Sequence, residues 1–475
     1  MKKTSSHVLR GVAGIFLALL VIFGTVSSVA NSWAGKVNEL LGVDQATITR
    51  SSDPADYRYQ SDYATASELI QAEIDLNTRL AAEGSVALKG QPALGGTKVT
   101  LFGMRSGAKM QFGGSMGELI EASNVVTLGE AMEANGFSVN PTMLQFYKDM
   151  EANYAPTRSS GGNVVNSYEG QGAAIGEVPV SEYSAASLEG YKDAAVIVLG
   201  RDAGESACFY PGLNGLSNPA EFTNSPTGNI LSLSNEEREL VNWVKGQGFG
   251  KIVVLLNSST AMEIDELKRD AAVDSIIWIG NPGAYGTYGI AKLLSGEVLP
   301  SGHLPDTFAV NTALSPAAQN YGIYVFSNAA EIDESSNHAL RSDWYLAELE
   351  GIYTGYKYYE TRYFDSVLGQ GNAASAPAGQ STTAGKWDYD SEVSYSFGYG
   401  LEGSTFTEEI EAIGIDWSGE TDSSVRIKVT NTGTVAAKHV VQLYVSVPYT
   451  QGGVEKSAIQ LVGYAKTGEA SEQSF

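Results

Sequence analysis

A single cysteine, Cys208, in 475 residues excludes an intrachain disulfide and any cysteine cluster able to hold a metal. Histidines are almost as scarce: His7, His303, His338 and His439 lie far apart along the chain, which argues against a zinc site or a histidine relay. Basic residues are also short, 30 Lys and Arg against 54 Asp and Glu, for a formal net charge of −24. A body that acidic repels phosphate backbones, so nucleic acid is excluded as a partner. Only 18% of residues are charged while 43% are hydrophobic. That balance excludes wholesale disorder and supplies material for packed cores. The length allows about three domains, and 53 glycines point to many tight turns.

The one long apolar run is Gly11 to Ala30, uncharged, preceded by Lys2, Lys3 and Arg10 and followed by Trp33. About 20 apolar residues suit one bilayer crossing, and the leading positive charges favour a cytoplasmic N-terminus. The competing reading is a signal peptide cleaved after Ser28-Val29-Ala30, although the run exceeds the usual ~7–15 residues of a signal core. Either way, residues 1–35 read as a membrane anchor or leader, with the body outside the cytoplasm.

Residues 36–95 read as a lead-in, with a helical apolar pattern around Ala66 to Leu80. From about 96 to 345, strands and helices alternate. Short apolar runs at 98–103, 194–199, 251–257 and 275–280 are spelled as strands covered on both faces. Capping boxes Thr127-x-x-Glu130 and Ser234-x-x-Glu237 open helices at Leu128 and Asn235, and another helix is expected near Tyr288 to Leu294. This is α/β: a mostly parallel sheet between two helical layers. Residues 346–400 form a connector with a low-complexity stretch near 369–386. From 401 to 475 the period changes to two, as in a small antiparallel β domain. About four strands are visible against the seven of a closed sandwich, so the domain is expected to be truncated, with an unpaired edge.

Functional loops of such sheets leave from the carboxyl ends of strands. Directly after the strand at 194–199 stands GRDAGE, residues 200–205, where Asp202 and Glu205 are neighbouring acids of the kind that raise one another's pKa. The bland alternative is a solvated loop glutamate. Glu236, Glu237 and Glu239 are read as first-turn residues favouring the helix dipole. The glycines of GNPG, 280–283, do not have dinucleotide or Walker spacing and fit a tight strand-to-helix turn. Ser258 and Ser259 lack a nucleophile elbow, and Cys208 is read as a packed thiol. The aromatic run Tyr353 to Tyr363 could stack sugars or serve a core.

The spellings then converge. EGSVALK (83–89), GRDAGE (200–205), VVLLN (253–257), GNPG (280–283), PSGHLP (300–305), EGIYTGY (350–356), FGYGL (397–401) and TNTG leading to VVQLYV (430–445) occur in one order. Together they resemble family 3 glycoside hydrolases, the β-glucosidase family, over roughly residues 80–475. The resemblance implies an α/β sandwich followed by a fibronectin-III-like module, the rearranged order in which the nucleophile-bearing (β/α)8 barrel comes last, and here that barrel is absent. It implies retaining hydrolysis of terminal β-D-glycosidic bonds without metal or cofactor. Glu205 falls on the acid/base position.

Retaining chemistry needs a second carboxylate about 5–5.5 Å away. Asp343, in RSDW (341–344), spells the family's nucleophile tripeptide, but the preceding DESSNHAL is no buried strand, so Asp343 is read as a decoy. The chain alone is expected to be inactive, the acid/base half of a site whose substrate is a β-linked glycoside. The reading from a different class is a non-catalytic cell-surface carbohydrate-binding or scaffolding module.

Overall fold

The computed structural model describes residues 61–113, 125–156, 175–201, 222–320, 324–335, 344–345, 347–348, 350–369, 382–383, 386–416, 418, 423–448, 452–468 and 472–474. The chain divides between Glu68 and Leu69 into two units, and every strand among the described residues lies in the second.

The centre of that unit is a six-stranded sheet: β1 (Val86–Lys89), β2 (Lys98–Phe102), β3 (Ser138–Val139), β4 (Ala194–Arg201), β5 (Ile252–Ser258) and β6 (Ser275–Trp278), in the spatial order β1-β6-β5-β4-β2-β3. All neighbours pair parallel except β1, which runs antiparallel to β6 at one edge. Along β4 every residue is buried. Ala195, Ile197 and Leu199 enter one core and Ala194, Val196 and Val198 the other, as a pleat of period two requires between two apolar layers.

Helices α1 (Ala66–Gly84), α2 (Leu128–Ala134), α3 (Pro141–Tyr154), α4 (Asn235–Lys245), α5 (Asp265–Arg269) and α6 (Thr287–Ser295) surround the sheet. Leu128 and Met132 of α2 and Ile290 and Leu294 of α6 join one core; Met143 of α3, Leu240 and Val244 of α4 and Leu267 of α5 join the other. Both expected capping boxes form, at Thr127 and Ser234. Helix α3 starts where Asn140 accepts bonds from the amides of Thr142 and Met143 ahead of a proline in the first turn, a combination that suits a helix entry.

The sheet reaches N-terminal of the expected boundary at 96. Val86 and Ala87, in what reads as the lead-in, pair with Trp278 and Ile277. The connector is likewise tied in. After β7 (Phe308–Ala309), α7 (Pro316–Asn320), β8 (Tyr324–Val325), α8 (Ala329–Ser335), β9 (Trp344–Tyr345), α9 (Tyr356–Ser366), β10 (Thr382–Thr383), β11 (Lys386–Trp387) and α10 (Tyr389–Glu392) comes β12 (Val393–Tyr395). Strand β12 pairs back onto β7 through Val393 and Ala309.

The last module has five described strands: β13 (Phe406–Gly414), β14 (Ser424–Asn431) and β17 (Glu472–Ser474) in one sheet, β15 (Val440–Val445) and β16 (Gln460–Lys466) in another. Its core is small, Ile427, Val429 and Val441, and Ile410, Ile413, Val462 and Tyr464 stand exposed. Among the described residues no helix is long and apolar enough to cross a membrane; Gly11 to Ala30 lie outside them.

Candidate functional site

The carboxyl ends of β2, β4, β5 and β6 face a common edge, and buried polar side chains there tie the loops together. At the end of β5, Asn257 is fully buried. Its Oδ1 accepts from the Gln111 amide at 2.7 Å, and its Nδ2 donates to the carbonyls of Gln111 and Gly280 at 3.0 and 2.8 Å. One side chain therefore holds the loops that follow β2 and β6. Gly280, at φ 55°, and Gly283, at φ 76°, make the turn before α6 as expected, because only glycine enters that backbone region without strain.

Beside it, Gly103 lies at φ 93°, and a Cβ there would sit 2.3 Å from the Val198 carbonyl. The close crossing aims the Gly103 amide at the Tyr147 hydroxyl, 2.6 Å away, and the Met104 amide at Oε2 of Glu177, 3.0 Å away. Glu177 Oε1 accepts from the Val178 amide at 2.8 Å and from the Tyr183 hydroxyl at 3.4 Å. Burial of this carboxyl pushes its pKa up to about 7, with the nearby charge of Glu237 acting in the same direction and the amide and hydroxyl bonds opposing.

Strand β4 ends on Arg201, wholly buried. Its guanidinium meets the Glu237 carboxylate with two parallel bonds of 2.8 Å. Nε donates to the Ile230 carbonyl and Nη1 to the Gly200 carbonyl, each at 2.6 Å, and Nη2 also donates to the Ser232 carbonyl. All five N–H donors of an arginine are thus used. Glu237 is accordingly more than a first-turn residue beside a helix dipole: it closes the capping box with Ser234 and neutralises Arg201 in the interior. Residues 222–234 are pinned a second time by Glu263, which accepts from Asn229 Nδ2 at 2.8 Å, from the Thr312 amide and hydroxyl at 2.6 and 2.7 Å, and from the Thr227 hydroxyl.

These contacts fix where the loop after β4 departs and where it returns. Asp202, Glu205 and Cys208, and likewise Asp343, lie outside the described residues. Sequence reasoning points to this edge at Asn257, in VVLLN, but misses Glu177 and Glu263 and gives Glu237 a lesser role. Arg201, a charge ending an apolar strand, is the signal that could have led to them. Among the described residues no group of three His, Cys, Asp or Glu side chains could hold a metal ion.

Residues 92–402 match the model of the glycosyl hydrolase family 3 C-terminal domain. Beta-glucosidase A of Butyrivibrio fibrisolvens is 27% identical over 424 residues, 84% of this chain and 44% of that protein. A beta-glucosidase of Ruminococcus albus is 28% identical over 394 residues, 81% of this chain and 33% of its own length. The chain therefore spans less than half of either relative. Among solved structures, a beta-glucosidase from Paenibacillus barengoltzii has a TM-score of 0.57 at 23% identity, over 85% of this chain and 37% of that one. Beta-glucosidase 3B from Thermotoga neapolitana, in complex with glucose, has a TM-score of 0.58 at 21% identity, over 86% and 48%. These likenesses share the fold, and the matched span contains β2 to β6 with the strand ends that form this edge: the chain belongs to glycosyl hydrolase family 3.

Proposed function

We propose that this chain supplies the acid/base half of a retaining β-glycosidase site, with Glu205 as its catalytic carboxyl. Glu205 protonates the departing glycosidic oxygen and then, as a carboxylate, activates the water that releases the sugar. The observation that carries the reading is the Arg201 clamp, which holds the stem of the loop bearing Glu205 at the carboxyl edge of the sheet. Membership of the family and relatives named as beta-glucosidases support terminal β-D-glucosides as the substrate class.

The nucleophile comes from a (β/α)8 barrel, which the sheets of the described residues do not form; Asp343 has no part in it. No metal or cofactor is required by two-carboxylate chemistry. The uncharged run from Gly11 to Ala30, led by Lys2, Lys3 and Arg10, supports a body outside the cytoplasm, either anchored or released by cleavage.

The test is turnover of an aryl β-glucoside. This chain alone is expected to show none, and joining it to a family 3 barrel domain should restore hydrolysis. Glu205→Gln in the joined protein should then lower kcat by about 10²–10⁴-fold. Turnover by the chain alone that disappears in Glu205→Gln would return Asp343 to the role of nucleophile and overturn the half-site reading.

A further inference from the structure

A cavity of about 840 Å³ opens where the connector meets the β module, and none of its lining residues belongs to the strand-end loops. Its size falls within the roughly 300–1,000 Å³ of small-molecule pockets. Two regular elements build its walls. Helix α9 presents Tyr356, Glu360 and Tyr363, at positions i, i+4 and i+7, on a single face. Strand β15 presents Gln442 and Tyr444, two residues apart and so on one side of the pleat.

The aromatic wall is rigid. Tyr356 stacks on Phe397 at 4.3 Å between centroids with planes 21° apart, and Tyr444 stands edge-on to both at 6.4 Å. The Tyr356 hydroxyl accepts from the Leu461 amide at 3.0 Å, and Gln442 is held between the Tyr444 hydroxyl and the Gly398 carbonyl at 2.6 and 2.9 Å. Opposite, Tyr363 meets Tyr389 edge-on at 5.2 Å, and the Tyr389 hydroxyl donates to Glu360 Oε1 at 2.5 Å. That is the single hydrogen bond to Glu360 among the described residues. The Tyr363 hydroxyl and the Asp390 carboxylate, both at the wall, receive none from the described residues.

The chemistry of the lining selects the ligand. No lysine or arginine lines the cavity, and its one charged histidine, His439, is held by Glu402 and Glu408, so an anion has no counter-charge. Glu360 is moved towards its neutral form by burial, Glu408 is engaged by His439 and Asp388 accepts from the Ser391 hydroxyl, which leaves Asp390 alone in the lining to attract a cation. What fits is an uncharged molecule with a flat C–H face and many hydroxyls: rings cover the face while Glu360, Asp390 and Tyr363 exchange hydrogen bonds with the hydroxyls. We propose that this cavity is a non-catalytic binding site for a neutral pyranoside, separate from the Glu205 loop and independent of its role.

Calorimetric titration of the full chain with cellobiose tests this, with spermidine as the cationic probe. Saturable cellobiose binding is expected with Kd of order 1 mM. Tyr363→Ala and Asp390→Asn should each weaken it about tenfold, near 1.4 kcal/mol, while Glu205→Gln leaves it unchanged. If Tyr363→Ala lowers the melting temperature sharply, Tyr363→Phe carries the test, since it removes only the hydroxyl and should weaken binding several-fold. No saturable binding up to ~10 mM would overturn the site. Binding lost in Glu205→Gln but kept in the Tyr363 and Asp390 variants would move the sugar to the catalytic loop, and tighter binding of spermidine would overturn the ligand class.

Discussion

At the scale of single residues, the polar interior of the α/β layer is organised around Arg201 and Glu177, and each gives a distinct prediction. Removing one partner of a buried ion pair leaves an uncompensated charge, which costs about 3–5 kcal/mol. Glu237→Ala should therefore destabilise the protein by that amount in denaturant melts, because the Arg201 guanidinium stays in place. Replacing both, Arg201→Met with Glu237→Leu, should bring no net recovery. The carbonyls of Gly200, Ile230 and Ser232 would each lose a buried donor, at roughly 1–3 kcal/mol apiece. Full recovery in the double variant would refute the five-bond clamp. Glu177 gives the opposite kind of signal. Its folded pKa of about 7 stands above the ordinary 4.5, so folding favours the protonated form. That stability is complete below about pH 4.5 and is lost as the pH rises through 7; the shift is equivalent to roughly 3 kcal/mol. Urea melts across this window should lose the falling slope in Glu177→Gln.

At the scale of elements, the contact between α1 and α6 is set by glycine. A Cβ on Gly289 would lie 2.2 Å from the Thr78 carbonyl oxygen and 2.7 Å from the Ala82 amide nitrogen, both backbone atoms that cannot turn aside. The helices also share Asn77, which bonds the Pro282 carbonyl and the Tyr285 amide at 2.8 Å each. Gly289→Ala should therefore push α1 away from α6 and cost at least ~1–3 kcal/mol, read as a fall in melting temperature. An unchanged melting temperature would refute the close packing. The parts of the fold legible in sequence are those with strong local spelling: the all-buried runs of β4 and β5 and the two capping boxes. Strand β1 is hidden because four residues behind a helix carry no period of their own, and only pairing with β6 makes them a strand. Helix α3 is spelled at its entry alone, by Asn140 and Pro141; of its own residues only Met143 and Tyr147 are buried, too few to write a clear apolar stripe. The site is legible as a loop address after β4. Its clamp is not, because Arg201 and Glu237 meet across 36 residues of chain.

At the scale of the whole unit, the β module is joined to the α/β layer through a small charged seam. Lys438 and Lys466 of the module reach Glu83 at the end of α1, at 2.7 and 3.5 Å. Beside them, His439 Nδ1 lies 2.8 Å from Glu402 and its Nε2 lies 2.9 Å from Glu408, while Phe406 stacks on its ring at 4.7 Å. Two carboxylates on the two nitrogens make both of them donors, so the ring is an imidazolium. Burial opposes this charge, but the bonds to Glu402 and Glu408 outweigh it and raise the pKa. His303, 3.6 Å from the same Glu402, is shifted the other way by burial, with repulsion from His439 and Lys466 adding to it. The signs follow from linkage. His439 contributes its full stabilisation below its ordinary value of 6.5 and loses it as the pH rises through the raised folded value. His303, held neutral, weakens the seam only as the pH falls. Hydrogen exchange in β15 and β16 should therefore quicken as the pH rises above about 6.5, after correction for the intrinsic rate. His439→Gln, which keeps a polar side chain but no titrating charge, should remove that dependence and leave the exchange of β4 and β5 untouched. Protection of β15 and β16 that is flat with pH in the unmodified protein would mean that the imidazolium held between Glu402 and Glu408 does not stabilise these strands.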